Sequence, residues 1–373
     1  MKIKTLTCHD VYNCGASLQA YALQRYLSKL GHDVEIINYK PSYLSFKYRW
    51  HWYVNEHSPY YKRCRGSVLY RAFYVTQRYL RSFTTWKRKR SFELFTYKYL
   101  KLTKEYDTYI QLCQNPPQAD VYIVGSDQVW NNAVLNNGFD PAFFLSFGNK
   151  NTKRLSYAAS FGTAKSYMTF FTKQRLASFD AISVREDSGK RLIGPDFDVK
   201  VVCDPVFLLD KEDWENMCVK VSGKNERFIL IYNLGNANQN MLSHAYQLAK
   251  ERKMKVYVIK TSESMIKADK VFSEVGPIEF LSLFSQASVV LSNSFHATAF
   301  SLIFRKEFYT YTFQEMASSY RMVDLLNRVG LSSRFNPEDI SHVAPLDYNV
   351  HDYCGTMVNE SKQWLLTQLD KQK

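Results

Sequence analysis

No stretch of this 373-residue chain approaches eighteen consecutive apolar residues, so no segment has the length a bilayer-spanning helix needs. The opening residues, MKIKTLTCHDVYNCG, enter a strand directly and lack the apolar stretch and cleavage site of a secretory leader. Cysteine is sparse. The seven cysteines (8, 14, 64, 113, 203, 218 and 354) are odd in number and scattered, with no CxxC and no Cys/His group at zinc spacing. That distribution points to free thiols in a reducing cytoplasm, and neither a disulfide scaffold nor a metal centre is expected. Cys8 and Cys14 flank a candidate site loop, where a reactive thiol is the less economical reading. GxGxxG, P-loop, GxSxG, HExxH and EF-hand patterns are all missing, so no cofactor is expected from motif. Paired-carboxylate glycosidase chemistry stays open, because Asp127 and Asp204 can both face a cleft. There is no short repeat and no low-complexity tract.

What is present is an ordinary globular composition, 46% hydrophobic, in a chain long enough for two domains. Short β-branched runs alternate with amphipathic helices, the pattern of parallel α/β sheets. Strands are predicted near 2–8, 33–39, 121–125, 155–159, 181–185 and 199–203, with helices near 15–30, 167–178 and 187–193. Gly31 marks the end of the first helix. Strands near 227–232, 255–260, 288–291 and 307–311 follow, with helices near 238–252, 277–286, 294–304 and 319–328. The economical architecture is two Rossmann-like domains with a ligand cleft between them. The first spans 1–203, a linker 204–226, and the second 227–345. The tail 346–373, with amphipathic SKQWLLTQLDK (361–371), is expected to cross back onto the first domain.

The net charge of +14 belongs to one segment. Residues 40–104 hold 16 Lys/Arg against two acids, Glu56 and Glu93, and the rest of the chain balances. Within it, residues of about 42–104 read as an inserted helical arm with aromatics among the cations: Tyr43, Phe46, Tyr48, Trp50, Trp52 and Tyr53, then Tyr70, Phe73, Tyr74, Tyr79, Phe83 and Trp86. Three roles suit that composition: contact with an anionic membrane surface or glycolipid, aromatic packing of a solvated helix pair on the domain body, and a nucleic-acid backbone track.

Four segments fall at the carboxyl ends of strands, where α/β proteins build their sites. Asn13-Cys14-Gly15-Ala16 offers small residues that let a ligand approach the backbone, with Gly15 free to take conformations closed to other residues. Gly125-Ser126-Asp127-Gln128-Val129-Trp130-Asn131 is a dense polar set suited to sugar hydroxyls, with a ring to stack on Trp130; a plain polar turn is the alternative. In Ser183-Val184-Arg185-Glu186, Arg185 presents a planar, permanently charged fork to a carboxylate or phosphate, unless it only pairs with Glu186. SVVLSNSFHATAFSLIF (288–304) is the most informative. A β-branched run hands over to a helix at Ser292-Asn293-Ser294, where free N–H groups favour an anion, and His296 stands at the junction. Its alternative is a capped, buried helix with a satisfied histidine. Together these residues describe a site for a small, doubly anionic substrate with a proton-transfer group.

NCGASLQAYALQRYLSKLGHDVEIINYKP (13–41), ADVYIVGSDQVWN (119–131), LSYAASFG (155–162), ISVREDSG (182–189), DPVFLLDKEDW (204–214), GPIEFLSLFSQA (276–287) and SNSFHATAFSLIF (292–304) resemble, in order and spacing, the polysaccharide pyruvyl transferase family. The resemblance covers roughly residues 1–330. It implies a GT-B-like arrangement of the two domains and transfer of pyruvate from phosphoenolpyruvate to a sugar as a cyclic ketal. By this resemblance Arg185, Ser294, His296 and Arg321 (in SSYRMVDLL) belong to the donor side. Asn13, Gly15, Gln128 and Trp130 belong to the acceptor side. His296 is the candidate general acid/base or phosphate contact, and Asp127 the candidate base on a sugar hydroxyl. The family commonly carries SFHG, and Ala297 stands in the glycine's place here. Acceptors in the family are often repeat units on a polyprenyl diphosphate carrier at the inner membrane face. That implies a cytoplasmic protein peripheral to the membrane, with residues 40–104 as the contact. A nucleotide-sugar glycosyltransferase of similar architecture and a non-catalytic glycan-binding protein are the alternatives.

Overall fold

The computed structural model describes residues 1–45, 60–84, 86–131, 139–162, 169–223, 226–236, 238–260, 266–313 and 316–371, without the side chains of 78–84 and 316–318. Strand segments such as VYIV at 121–124 are buried along their whole length. Strands apolar on both faces need helices on both sides, the condition for a parallel sheet. The first half runs β1 (Lys2–Leu6), α1 (Cys14–Lys29), β2 (Asp33–Tyr39), α2 (Tyr61–Gly66), α3 (Val68–Thr84), α4 (Trp86–Tyr99), β3 (Leu102–Tyr106), α5 (Tyr109–Gln114), β4 (Val121–Val124), β5 (Lys153–Ser156), α6 (Phe170–Leu176), β6 (Ile182–Val184), α7 (Asp187–Ile193) and β7 (Val199–Val201). Its sheet has the order β3-β2-β1-β4-β5, all parallel, with Ile3 opposite both Val34 and Val121. Bridges Leu155–Ala181 and Ala159–Val184 carry the sheet on to the β6–β7 pair.

The second half runs α8 (Lys211–Glu215), β8 (Phe228–Tyr232), α9 (Gln239–Arg252), β9 (Lys255–Ile259), β10 (Lys270–Phe272), α10 (Pro277–Gln286), β11 (Val289–Ser292), α11 (Phe295–Ile303), β12 (Glu307–Thr310), α12 (Met316–Arg328) and α13 (Gly355–Asp370). Its sheet has the order β10-β9-β8-β11-β12 and is parallel throughout. Two Rossmann-like sheets are therefore present. Each reverses its winding at one point, between β1 and β4 and between β8 and β11. Crevices beyond the carboxyl ends at such points are where α/β sheets take ligands.

One continuous core joins the halves. It includes Leu18 and Leu23 of α1, Phe280 and Phe284 of α10, and Phe300 of α11. Trp214 of α8 sits at its centre, 5.8 Å from the Tyr21 ring and 5.2 Å from Phe300. The first part of the segment expected to be a linker is packed into this core, with Pro205–Leu208 and Trp214 buried. The tail helix α13 lies against the first half, where Lys153 Nζ donates to the Gln368 and Lys371 carbonyls. The Cys203 N–H donates to Ser361 Oγ at 2.8 Å, and Lys362 sits over the Tyr26 ring.

Among its described residues the inserted arm has three helices, and they differ. On α4, Phe92 and Phe95 are buried, with Phe92 stacked on Tyr12 at 5.3 Å and Phe95 edge-on to Tyr21 at 6.1 Å. This helix packs its aromatics on the body. The arm also ends earlier than the composition predicts, since β3 takes up Leu102–Tyr106 as an edge strand. Phe46, Tyr48, Trp50, Trp52 and Tyr53, and the side chains of Tyr79 and Phe83, fall outside the described residues. Among those described, no helix is long and apolar enough to cross a membrane.

Candidate active site

At the end of β11 three polar residues divide the work. Ser292 Oγ donates to the Tyr232 carbonyl at 2.7 Å and accepts the Ser294 N–H at 3.1 Å, which pins the turn. Asn293 accepts the Leu234 N–H at 2.7 Å and donates to the Leu234 carbonyl at 2.9 Å, tying this turn to the one after β8. Ser294 is the N-cap residue of α11 but makes no side-chain cap bond, and the first turn of the helix holds no acid. The N–H groups that begin α11 are left to a ligand, and the helix dipole favours an anion there. The start of α1 faces the same space. Asn13 caps it by accepting the Ala16 N–H at 3.3 Å, and its first turn is also free of acids.

Between them lies a cavity of about 170 Å³. Asn13, Gly15, Asp127, Gln128, Ser294, His296 and Arg321 line it, beside Tyr232, Phe280, Phe295 and Phe313. Seven residues singled out in the sequence, drawn from both sheets, therefore meet at one cavity. Gly15 earns its place differently from the sequence expectation. It lies in regular helix, and the His296 ring rests on it so closely that a Cβ would stand 2.1 Å from Nδ1. His296 Nε2 has no hydrogen-bond partner among the described residues and sits 3.7 Å from Asp204 Oδ2. Ala297 is fully buried and off the cavity wall, so the methyl that replaces the family's glycine hydrogen does not reach a ligand there.

Behind the cavity is a buried charge cluster. Arg185 Nη1 donates to Asp204 Oδ2 at 2.7 Å; Nη2 lies 3.6 Å from Asp127 and Nε 3.5 Å from Glu186. Its guanidinium is stacked 4.5 Å from the centre of the Phe295 ring. Asp204 also accepts the Ser126 hydroxyl at 3.0 Å and the Val206 N–H at 3.1 Å. Burial pushes the Asp204 carboxyl up, but His296 and Arg185 outweigh it and hold it well below the usual carboxylate range. Asp127 adopts a left-handed backbone, φ 62°, at a cost of about 1 kcal/mol. Gly125 before it has φ 125° and admits no Cβ, which would stand 2.1 Å from the Tyr157 carbonyl oxygen.

Two expectations are corrected here. Arg185 does not line the cavity: its fork is committed to Asp204, and the guanidinium in the wall is that of Arg321. Burial and the nearby Arg185 charge lower the Arg321 pKa. The Gln128 amide, oriented with its oxygen toward Arg321, accepts from both terminal nitrogens at 3.3 Å. Trp130 is the second correction. Its ring is buried, stacked on Phe144 at 5.7 Å and flanked by Phe161 and Phe179, and Nε1 donates to the Phe143 carbonyl at 2.9 Å. A ring enclosed on those sides cannot stack on a sugar. The sequence reading had placed Asp204 only in a glycosidase alternative; its signal was an acid directly after a strand and before proline, in VVCDP. Among the described residues no His, Cys, Asp and Glu group is arranged to hold a metal ion.

No curated protein matches the sequence. Solved structures that resemble the fold include UDP-GlcNAc 2-epimerase from Neisseria meningitidis bound to UDP-GlcNAc, at 11% identity and TM-score 0.49 over 100% of both chains. The Methanocaldococcus jannaschii UDP-GlcNAc 2-epimerase in complex with UDP-GlcNAc and UDP matches at 12% identity and TM-score 0.45, covering 99% of each chain. The E. coli ADP-heptose lipopolysaccharide heptosyltransferase II matches at 12% and 0.39 over 100% of both. The sequence itself is more specific: a polysaccharide pyruvyl transferase model matches residues 13–313, a span that holds every strand of both sheets but β1 and every lining residue but Arg321 and Met322, and the chain belongs to that family.

Proposed function

We propose that this transferase moves pyruvate from phosphoenolpyruvate to a sugar of a lipid-linked saccharide, forming a cyclic ketal in the assembly of a surface polysaccharide. The observation that carries the reading is the convergence of two acid-free helix starts, Arg321, His296 and Asp127 on one cavity. Phosphoenolpyruvate brings a phosphate and a carboxylate, and the helix starts, the Ser294 hydroxyl and Arg321 offer contacts for both. Arg185 keeps N–H groups on Nε and Nη2 without a hydrogen-bond partner, so it adds field from behind and can lend a further contact.

In the proposed reaction His296 gives a proton to C3 of the enol, and positive charge develops at C2. A sugar hydroxyl bonds to C2 as Asp127 takes its proton. A second hydroxyl then displaces phosphate and closes the ring. Of the two hydroxyl protons released, one balances the proton added at C3 and the other leaves with phosphate. Asp204, fixed by Arg185 and Ser126, stands 3.7 Å from His296 Nε2 and holds a negative charge beside the proton donor. Asn13, Gly15 and Gln128 border the space left for the acceptor.

Thermal unfolding with and without millimolar phosphoenolpyruvate tests the donor. A ligand that binds only the native state stabilises it, and at tenfold excess over Kd the gain is about 1.4 kcal/mol. The wild type is expected to unfold at a higher temperature with phosphoenolpyruvate, and Arg321→Ala to lose the shift. A shift with a nucleotide sugar and none with phosphoenolpyruvate would replace this reading with a glycosyltransferase.

A further inference from the structure

The arm gives one helix to the body and holds another away from it. On α3, Val68 and Leu69 are 84% exposed and Phe73 is 60% exposed. At 100° per residue these positions fall within one face of the helix, with Ala72 between them. An apolar stripe of this kind is unusual on a soluble surface, where it marks a place of contact. Its setting says what the contact is. Lys62, Arg63 and Arg65 on the adjoining α2 and Arg71 on α3 are exposed around it, and Glu93 is the sole acid in the sequence from 57 to 104. The Tyr60 and Tyr74 rings, 5.3 Å apart, hold α2 against α3, so cations and apolar stripe belong to one unit.

We propose that α2 and α3 form an interfacial docking face that lies on an anionic bilayer, with Val68, Leu69 and Phe73 entering the headgroup–acyl boundary and the surrounding cations meeting lipid phosphates. The inference builds on the reading that the acceptor arrives on a lipid carrier, yet it stands on this surface alone and is tested without acceptor or donor. The arm is fastened beside the site. Arg88 Nη2 donates to the Tyr12 carbonyl at 2.9 Å, one residue before Asn13 on the cavity wall. At the start of α10, Gly276 is packed so closely on Ser91 that a Cβ would stand 2.4 Å from the serine's. Docking through α3 would thus hold at a bilayer surface an arm whose α4 is fixed next to the cavity.

Co-sedimentation of the full-length protein with vesicles tests this. The wild type is expected to bind vesicles containing phosphatidylglycerol at least about tenfold more tightly than pure phosphatidylcholine, and less tightly as salt rises. The doubly substituted Leu69→Glu, Phe73→Glu protein is expected to lose about a hundredfold in vesicle affinity while keeping its phosphoenolpyruvate-dependent thermal shift. Equal vesicle binding by wild type and variant would overturn the proposal. So would a wild-type dimer that becomes monomeric in the variant and ignores vesicles, since the stripe would then be a contact between copies. Loss of vesicle binding with the thermal shift intact supports docking. Absence of the shift in both proteins, with docking preserved in the wild type, would count against the donor and leave the docking face standing.

Discussion

Arg185 and Arg321 are both guanidinium groups close to one cavity, and their surroundings give them opposite roles. Around Arg185 stand Asp204, Asp127 and Glu186, with Phe295 over its face, so its charge is largely spent before a ligand arrives. Arg321 forms no ion pair among the described residues: the Gln128 amide accepts from it, and Glu186, Asp127 and Asp204 act on it only through their field. A buried cation matched by carboxylates organises a site, whereas one met by a neutral group is available to an anion. The sequence points to Arg185 before Arg321 for contact with an anion, whereas the structure puts Arg321 in the cavity wall. Arg185 sits at a strand end beside an acid, a position that looks functional, while the carboxylate that occupies it is nineteen residues away at Asp204.

The largest effect expected from breaking the comparison is on Arg185 itself. Arg185→Leu leaves Asp204, Asp127 and Glu186 without their cation, and equilibrium urea unfolding should show a loss of about 3–5 kcal/mol. Arg321→Ala should cost about 1 kcal/mol or less by the same measurement, because no carboxylate forms an ion pair with it among the described residues, while donor binding falls. Similar losses of stability in both variants would erase the distinction.

Gly15→Ala sharpens the contrast from the other wall. The added methyl displaces the His296 ring, and pyruvyl transfer is expected to drop by about a hundredfold, the scale on which a misplacement of 1 Å costs an enzyme. Wild-type turnover in that variant would show that the His296 position is not needed. A smaller effect is expected from Trp130→Phe, which gives up one hydrogen bond and some aromatic packing. Stability should fall by about 1–3 kcal/mol with the phosphoenolpyruvate affinity unchanged.

The smallest expected signal is in pH. Asp204 is held below its ordinary value, so its contribution to stability is fully present above the unfolded pKa of about 4 and is lost as pH falls through the lower folded value. Urea midpoints should therefore decline on acidification below about pH 4, and Asp204→Asn should flatten that decline. An unchanged slope in the variant would mean that other carboxylates control acid stability.

Most of the frame was readable because parallel strands buried on both faces show as apolar runs between helices of regular period. The β2 reading of 33–39 and the α10 reading of 277–286 coincide with the structure, and β11 and α11 differ by one residue at each end. β3 was missed since LTKEY is half-exposed, charged and continuous in composition with the basic arm; KVF of β10 is too short and exposed to register. At the site, Asp127 and Trp130 are three residues apart and were read together, yet the left-handed turn at Asp127 leaves its carboxylate on the cavity while Trp130 packs inward. Nothing in local sequence distinguishes those directions; the ring pocket that receives Trp130 is made by Phe144, Phe161 and Phe179.

The central claim is that Arg321 and the paired helix starts receive phosphoenolpyruvate. Calorimetric titration of phosphoenolpyruvate into wild type, Arg321→Ala and Trp130→Phe addresses it directly. Saturable binding to wild type and Trp130→Phe, lost in Arg321→Ala, is the predicted result. No binding to wild type, or equal binding to Arg321→Ala, would contradict it.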